Sequence, residues 1–384
     1  MRIAMFTETF LPNTDGIVTR LCATLQHLEK EGHDVLLFAP AGSPSEYAAA
    51  QVVTVPSFRF FLYPEKKFPM PWPVGRMLAQ FRPDFIHVVN PAFVGLAGIW
   101  YAKRMRLPLI ASYHTNVPTY ARHYHLDFLE PVLWWYFRLL HNQAQINLCT
   151  SKATWALLEE HRFRNLGLWE RGVDVALYQS ARSSAAMRRR LARNMAEGDK
   201  ILLYVGRLAS EKAIERLRPV LDAESRVHLA IVGDGPYRPE LERVFAGTNT
   251  VFTGYMHGKE LAEAYASADG FVFPSTTETL GLVLFEAMAS GLPVLAADSP
   301  PTREVLENGQ AGFIFDAANV DDLIEGVREL LWNEPRRRAV LQRTRAIVEN
   351  LDWSGPTEQL LAHYRRLFAE QPAVRSTPVR GSRL

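Results

Sequence analysis

The chain has 384 residues, and at roughly 150 residues per domain that length points to two or three domains. Hydrophobic residues make up 48% and charged residues 22%, a mixture that excludes a largely disordered chain. Lys and Arg number 43 against 41 Asp and Glu, so the net charge of +2 excludes a simple charge-driven nucleic-acid binder.

Short apolar runs alternate with helical patterns along the chain. Residues 3–6 read as a buried first strand, because so short an apolar run behind one Arg makes no signal peptide. A polar loop leads to a helix over about 17–32. Strands follow at 34–38, 85–89, 109–113 and 147–150, the last running into a helix that opens at Ser151. The most apolar stretch, about 88–102, is interrupted by Asn90 and Pro91 and falls short of the roughly 20 residues of a membrane span. From about 177 to 200 the chain is polar and Arg-rich with no clear strand. The pattern then restarts, with strands at 201–205, 227–232, 251–253, 270–273 and 293–296, and a last helix covers about 356–369. This alternation implies parallel strands with helical crossovers, the doubly wound α/β class, in two similar units whose loops face one cleft. The expected division is an N-terminal domain 1–175, a linker 176–196, a second domain 197–355, a helix 356–370 returning to the first domain, and a flexible tail 371–384.

Five loops carry polar groups suited to chemistry. Gly206-Arg207-Leu208-Ala209-Ser210-Glu211-Lys212 ends a strand with two cations five residues apart. Arg207 offers a planar fork and Lys212 a point charge, a pair able to clamp a diphosphate or simply to lie on the surface. Gly233-Asp234-Gly235-Pro236 allows close backbone approach, though a plain turn accounts for it equally. Glu278-Thr279-Leu280-Gly281 leads into an apolar run holding Glu286. Thr279 and Gly281 suit a helix start that attracts phosphate, and Glu286 is expected about two turns into that helix on the face of Glu278. The two carboxylates could grip sugar and ribose hydroxyls; as ordinary surface glutamates, Glu286 would sit oddly among Leu282–Ala289. Asp15-Gly16 precedes the first helix, where Asp15 is either a ligand contact or the helix cap. His114 ends a strand at the cleft, as a sugar contact or a structural histidine. Cys22 and Cys149 make no disulfide framework and fit a reducing compartment.

Taken together, Gly-Arg-Leu-x-x-Glu-Lys, Gly-Asp-Gly-Pro and the two glutamates seven residues apart resemble the family 4 retaining glycosyltransferases of the GT-B fold, over roughly residues 1–370. The match is closest to the bacterial sulfolipid synthases, which transfer sulfoquinovose to diacylglycerol. It is carried by Phe6-Thr7-Glu8-Thr9-Phe10-Leu11-Pro12, Asp15-Gly16-Ile17-Val18-Thr19-Arg20-Leu21, His87-Val88-Val89-Asn90-Pro91, Ser112-Tyr113-His114-Thr115 and Thr277–Leu284. The resemblance implies two Rossmann-like domains, the first for acceptor and the second for nucleotide sugar. It implies that Arg207 and Lys212 bind the diphosphate of UDP-sulfoquinovose and that Glu286 holds the ribose. Glu278 with the backbone at Thr279, Leu280 and Gly281 would hold sugar and phosphate. His114 would lie near the sugar 6-position, Gly16 near the diphosphate, and Tyr255 and Met256 near the base. Arg207, Lys212, Glu278 and His114 form the expected catalytic set. Two departures stand out: Asp298-Ser299-Pro300-Pro301 replaces a common Ser-Gly-Gly, and Ala213 replaces a common glycine.

No cofactor is expected, and with a cationic clamp and no Asp-x-Asp motif no metal is required. Sulfonate would need cationic or N–H partners, for which Arg122, His123, His125, Lys66 and Lys67 are candidates. For a diacylglycerol acceptor, residues 59–106 carry eight Lys/Arg against two acids among several aromatics. Phe60, Phe61, Lys66, Lys67, Trp72 and Arg76 are candidate contacts to an anionic membrane surface, as is the aromatic helix at 126–140 unless it is core. The expected setting is the cytoplasmic face of a membrane, with no nucleic-acid partner. Alternatives are another lipid glycosyltransferase using UDP-glucose or GDP-mannose, a nucleotide-sugar 2-epimerase, or a non-catalytic binding module.

Overall fold

A computed structural model describes residues 1–13, 15–48, 50–60, 63–69, 74–119, 127–277 and 281–369. The side chains at 57–60, 63–69 and 180 lie outside that description. The first strands are β1 (Arg2–Thr7), β2 (Asp34–Pro40), β3 (Glu46–Tyr47) and β4 (Ala50–Val55). A small antiparallel hairpin, β5 (Ser57–Phe60) and β6 (Tyr63–Pro69), follows. Then come β7 (Phe85–Val89), β8 (Leu109–Tyr113), β9 (Ile146–Cys149) and β10 (Leu166–Leu168). Among the described residues these form one sheet of order β10-β9-β8-β7-β1-β2-β4-β3, parallel except where β3 meets β4. The second unit is a six-stranded parallel sheet of order β13-β12-β11-β14-β15-β16. Its strands are β11 (Lys200–Val205), β12 (Val227–Val232), β13 (Thr250–Gly254), β14 (Gly270–Phe273), β15 (Val294–Ala297) and β16 (Phe313–Phe315).

Both sheets are buried on both faces, which is why their strands read as continuous apolar runs. Ile3 and Met5 point into one core and Ala4 and Phe6 into another, the period-2 alternation of a strand. In the second sheet Ile201, Leu203 and Val205 face one core while Leu202 and Tyr204 face the other. The expected strands at 85–89, 109–113, 227–232 and 270–273 match the observed ones, and the helix expected over 17–32 runs from Gly16 to Lys30. Absent from the sequence reading are β3, β4, β5, β6, β10 and β16, of which β3, β10 and β16 are only two or three residues long.

One segment is more ordered than its composition suggested. The stretch 176–196 carries parts of the helices Val175–Ser180 and Ala185–Leu191, and Tyr178, Met187, Leu191 and Ala192 are buried in the second core. The helix Ser354–Ala369 buries Leu360, Leu361, Tyr364 and Leu367 in the cluster that holds Ile3, Met5 and Phe85. At about 1.5–3 kcal/mol for each large apolar side chain, that contact anchors this helix on the first unit. The tail 371–384 lies outside the described residues. Among the described residues no helix is long and apolar enough to cross a membrane.

Candidate active site

Each sheet reverses its strand order once, β1 beside β7 in the first and β11 beside β14 in the second. Loops at the carboxyl ends of strands diverge at such a point and open a crevice for ligands. The loops after β1, β11 and β14 hold three of the singled-out motifs, so the topology itself gathers them.

On the first unit, Glu8 ties the two loops of the reversal together. Its Oε1 accepts N–H bonds from Ala92, Phe93 and Gly95 at 3.0, 2.7 and 3.1 Å. Burial raises the Glu8 carboxyl above its ordinary value despite those bonds. Asp15 is the cap of the helix Gly16–Lys30: its Oδ1 accepts from Ile17 and Val18, and its Oδ2 accepts from the Thr9 hydroxyl at 2.9 Å. Of the two roles open for Asp15, the geometry gives the cap. Asn90, with φ of 53°, accepts N–H bonds from His114 and Thr115 and so shapes the loop after β8. The His114 ring is buried, edge-on to Trp169 at 5.3 Å, with Nε2 2.9 Å from the Ser112 hydroxyl. Its pKa is held well below the ordinary histidine value, first by burial and then by Arg20. Arg20 donates to the carbonyls of Trp169 and Glu170, both at 2.9 Å, and stacks on the Trp169 ring.

On the second unit, Arg207 forms an ion pair with Glu211, whose side chain is fully buried. Lys212 closes the short turn Ser210–Lys212 that follows. The Glu211 carbonyl accepts from the hydroxyls of Ser275 and Thr277, at 3.1 and 3.3 Å, which binds the loop after β11 to the loop after β14. Gly-Asp-Gly-Pro is more than a turn. A Cβ on Gly233 would lie 2.0 Å from the Gly206 carbonyl oxygen, and one on Gly235 2.3 Å from that of Leu208. The Leu208 N–H bonds Asp234 at 3.0 Å across this contact. Tyr255 is exposed and its hydroxyl donates to the Asp234 carbonyl, whereas the Met256 side chain is buried in the core.

Gly281, at φ of 57°, precedes the helix Leu282–Ala289. Glu286 is therefore one turn into that helix, not two, because the helix starts later than the spacing suggested. Its carboxylate is partly buried and accepts from the Tyr265 hydroxyl at 2.9 Å, with the Tyr178 phenol beside it. Burial raises its pKa, and the two phenols oppose that shift. The reading of Glu286 as a surface glutamate is excluded.

The two units meet at this place. A Cβ on Gly16 would lie 3.2 Å from Leu282 Cδ1, so the start of the first helix sits against the start of the helix carrying Glu286. Nearby, Glu304 accepts from the N–H groups of Lys152 and Ala153 at 3.1 and 2.7 Å and pairs with Arg171, whose guanidinium covers the Phe285 ring. The structure thus sets Gly16 against Leu282, next to Gly281, at the start of the helix that carries Glu286 one turn further on. Arg207 and Lys212 lie on the loop that Glu211 ties to the loop after β14. Glu278, Thr279, Leu280, Arg122, His123, His125, Phe61 and Trp72 lie outside the described residues. Phe60, Lys66 and Lys67 belong to the hairpin strands, with side chains outside the description, and Arg76 is exposed on the helix Gly75–Phe81. Sequence reasoning missed Tyr178, Tyr265 and Trp169 because their roles depend on contacts between distant segments, and Ser112 was quoted only as part of a motif. Glu211 was within the quoted motif, but only its burial beside Arg207 shows what it does.

The helix Glu130–His141 is neither wholly core nor wholly surface. Trp134, Phe137 and Leu140 are buried, while Val132, Trp135 and Leu139 are 55%, 54% and 47% exposed. Phe128 extends the exposed stripe, and Trp100 with Arg104 stacked on it lies on the helix Val94–Met105.

Comparison with known proteins agrees with this architecture. Residues 14–177 match the "Glycosyltransferase Family 4" model and residues 188–346 the "Glycosyl transferases group 1" model. The chain is 34% identical to the sulfoquinovosyl transferase SQD2 of Arabidopsis thaliana, over 94% of this chain and 72% of that protein. It is 35% identical to a GDP-mannose-dependent alpha-mannosyltransferase of Mycobacterium tuberculosis, over 95% of this chain and 96% of that protein. An alpha-monoglucosyldiacylglycerol synthase of Streptococcus pneumoniae is 28% identical, over 87% and 79% respectively. Among solved structures, a sucrose-phosphate synthase from Thermosynechococcus elongatus superposes with a TM-score of 0.78 at 20% identity, covering 96% of this chain and 100% of that one. That likeness is one of fold, two Rossmann-like domains in the GT-B arrangement. The chain belongs to the glycosyltransferases, in the group that joins a Family 4 N-terminal half to a group 1 C-terminal half.

Proposed function

We propose that the protein is a retaining lipid glycosyltransferase that moves sulfoquinovose from UDP-sulfoquinovose to diacylglycerol. The observation that supports this most is the contact of Gly16 with the start of the helix that carries Glu286, together with likeness to a sulfoquinovosyl transferase along nearly the whole chain. In this reading Arg207 and Lys212 stabilise charge growing on the leaving diphosphate, and the helix start at Thr279–Gly281 adds its N–H groups. Glu211 holds the Arg207 guanidinium in place for that contact. Glu286, presented by Tyr178 and Tyr265, accepts from the ribose hydroxyls. The base rests against the backbone at Tyr255 and Met256, since the Met256 side chain is committed to the core. Glu278 and His114 face the sugar, and Arg122, His123, His125, Lys66 and Lys67 remain the candidates for its sulfonate. No metal enters this scheme, so transfer persists in EDTA.

The acceptor assignment draws on the exposed apolar stripe of Glu130–His141 and its basic neighbours, which suit an anionic lipid surface at the cytoplasmic face. One specific observation favours a second reading: the mannosyltransferase relative matches at comparable identity and along nearly its full length, so a mannosyl donor on a lipid acceptor is the alternative. The deciding measurement is transfer of labelled sugar into a lipid extract from UDP-sulfoquinovose, UDP-glucose and GDP-mannose. Sulfoquinovosyl diacylglycerol is the expected product, and turnover with GDP-mannose alone would overturn the donor. Glu286→Ala is expected to raise the donor KM by about tenfold or more, as the loss of a charge-assisted hydrogen bond does. Unchanged kinetics in that variant would remove Glu286 from the site.

A further inference from the structure

We propose that Tyr364, His87 and Ser112 are positioning residues that set the tautomer of His114 through one buried hydrogen-bond chain beginning on the C-terminal helix. The inference rests on the reading of His114 as a residue facing the donor sugar.

The chain is continuous and wholly interior. The Tyr364 hydroxyl lies 2.7 Å from His87 Nδ1, and His87 Nε2 lies 3.0 Å from the Ser112 hydroxyl. The same hydroxyl lies 2.9 Å from His114 Nε2. Tyr364, His87 and Ser112 are fully buried, and the rings of His87 and His114 both pack against Trp169, at 5.7 and 5.3 Å. Burial lowers the His87 pKa to about 3 and holds that of His114 well below the ordinary value, so both rings are neutral near pH 7.

A neutral imidazole donates from one nitrogen and accepts at the other, and a hydroxyl has one proton. Both rings donating to Ser112 would leave that buried hydroxyl proton without an acceptor among the described residues, so the chain runs in one of two directions. In one, Tyr364 donates to His87 Nδ1, His87 Nε2–H donates to Ser112, and Ser112 donates to His114 Nε2. In the other every bond reverses, and the Tyr364 proton must find a different acceptor. Among the described residues the Tyr364 hydroxyl has no second partner, so reversal leaves a buried phenol proton unsatisfied. The first direction prevails. It makes His114 Nε2 an acceptor and puts the ring proton on Nδ1, the atom that in the proposed function would turn to a sugar or sulfonate oxygen. A helix 277 positions from His87 in sequence thereby completes the first unit's side of the site.

The experiment uses full-length protein labelled with 15N-histidine. Long-range 1H–15N spectra without any donor should show His114 protonated at Nδ1 and His87 at Nε2. In Tyr364→Phe, which keeps the ring but not the donor, the His114 signal should shift toward the Nε2–H form. The kcat for sugar transfer should fall by about tenfold, one hydrogen bond's worth, with the donor KM changed less than about twofold. Ser112→Ala breaks the chain at its other end and should do the same, and the double variant should be no worse than Ser112→Ala alone. Circular dichroism and melting establish that both variants fold. An Nε2-protonated His114 in the parent protein overturns the proposal, as does a folded Tyr364→Phe with unchanged His114 tautomer or unchanged kcat. Because the spectra need no substrate and kcat is read with whichever nucleotide sugar is turned over, failure of UDP-sulfoquinovose as donor would sink the donor assignment and leave this test standing.

Discussion

Gly235 shows how one missing side chain sets the site. The loops after β11 and β12 approach so closely that a methyl group at Gly235 would enter the Leu208 backbone. Gly235→Ala is therefore expected to cost about 2 kcal/mol or more in urea unfolding, whereas Gly355→Ala, with nothing within 4 Å, should stay within about 0.5 kcal/mol. Equal stability of the two would mean the loops separate freely. The departures from the family pattern also resolve at this scale. Ala213 occupies a left-handed conformation, φ 52°, where glycine is the more comfortable residue. Ser299 caps the helix Pro300–Val305, with proline at its first turn, so Asp298-Ser299-Pro300-Pro301 builds a helix start by ordinary rules. Glu286 was legible in sequence as a carboxylate in an apolar run. Its two tyrosine partners were not, because Tyr178 and Tyr265 are brought to it by packing alone.

The helix Glu130–His141 divides its aromatics between two environments. Trp134 and Phe137 face the interior, and Trp135 and Leu139 face outward. Replacing Trp135 and Leu139 by Ala should weaken co-sedimentation with phosphatidylglycerol vesicles by about tenfold or more, given the apolar area lost. Undiminished binding would move the contact to another surface. The composition of 126–140 made both core and surface open readings, since a helix with apolar residues on most sides gives no single face. Strands were easier. Runs buried on both faces, such as Phe85–Val89 and Val227–Val232, declare themselves, while the three-residue β10 and β16 carry too little pattern to register.

At the scale of the molecule, the first unit's interior holds several neutral histidines. Burial lowers the pKa of His87 to about 3 and of His141 to about 4, and that of His114 is depressed as well. Below pH 6.5 the unfolded chain takes up protons that the folded rings refuse. The stability these rings contribute is thus present above that pH and lost as the pH falls toward 4 and 3. Each ring should add about 1.4 kcal/mol per pH unit to the slope in that window. Urea unfolding at pH 7, 6 and 5 checks this, and a flat profile would mean the rings are accessible to protons in the native state.

The sequence by itself determined the class of fold, the two-unit plan and the loops that hold the ligand groups. Those features depend on local periodicity, on glycines and on motifs a few residues long, all of which are written in neighbouring positions. Tertiary structure alone decided which motifs meet. It set Gly16 against Leu282, paired a partly buried Glu286 with Tyr265, locked Arg207 to Glu211, and ran a hydrogen-bond chain from Tyr364 to His114. Apart from Arg207 and Glu211, which are four positions apart, those pairings join residues tens to hundreds of positions apart. They exist because two sheets each bury both faces, and because loops at the strand ends diverge where the strand order turns.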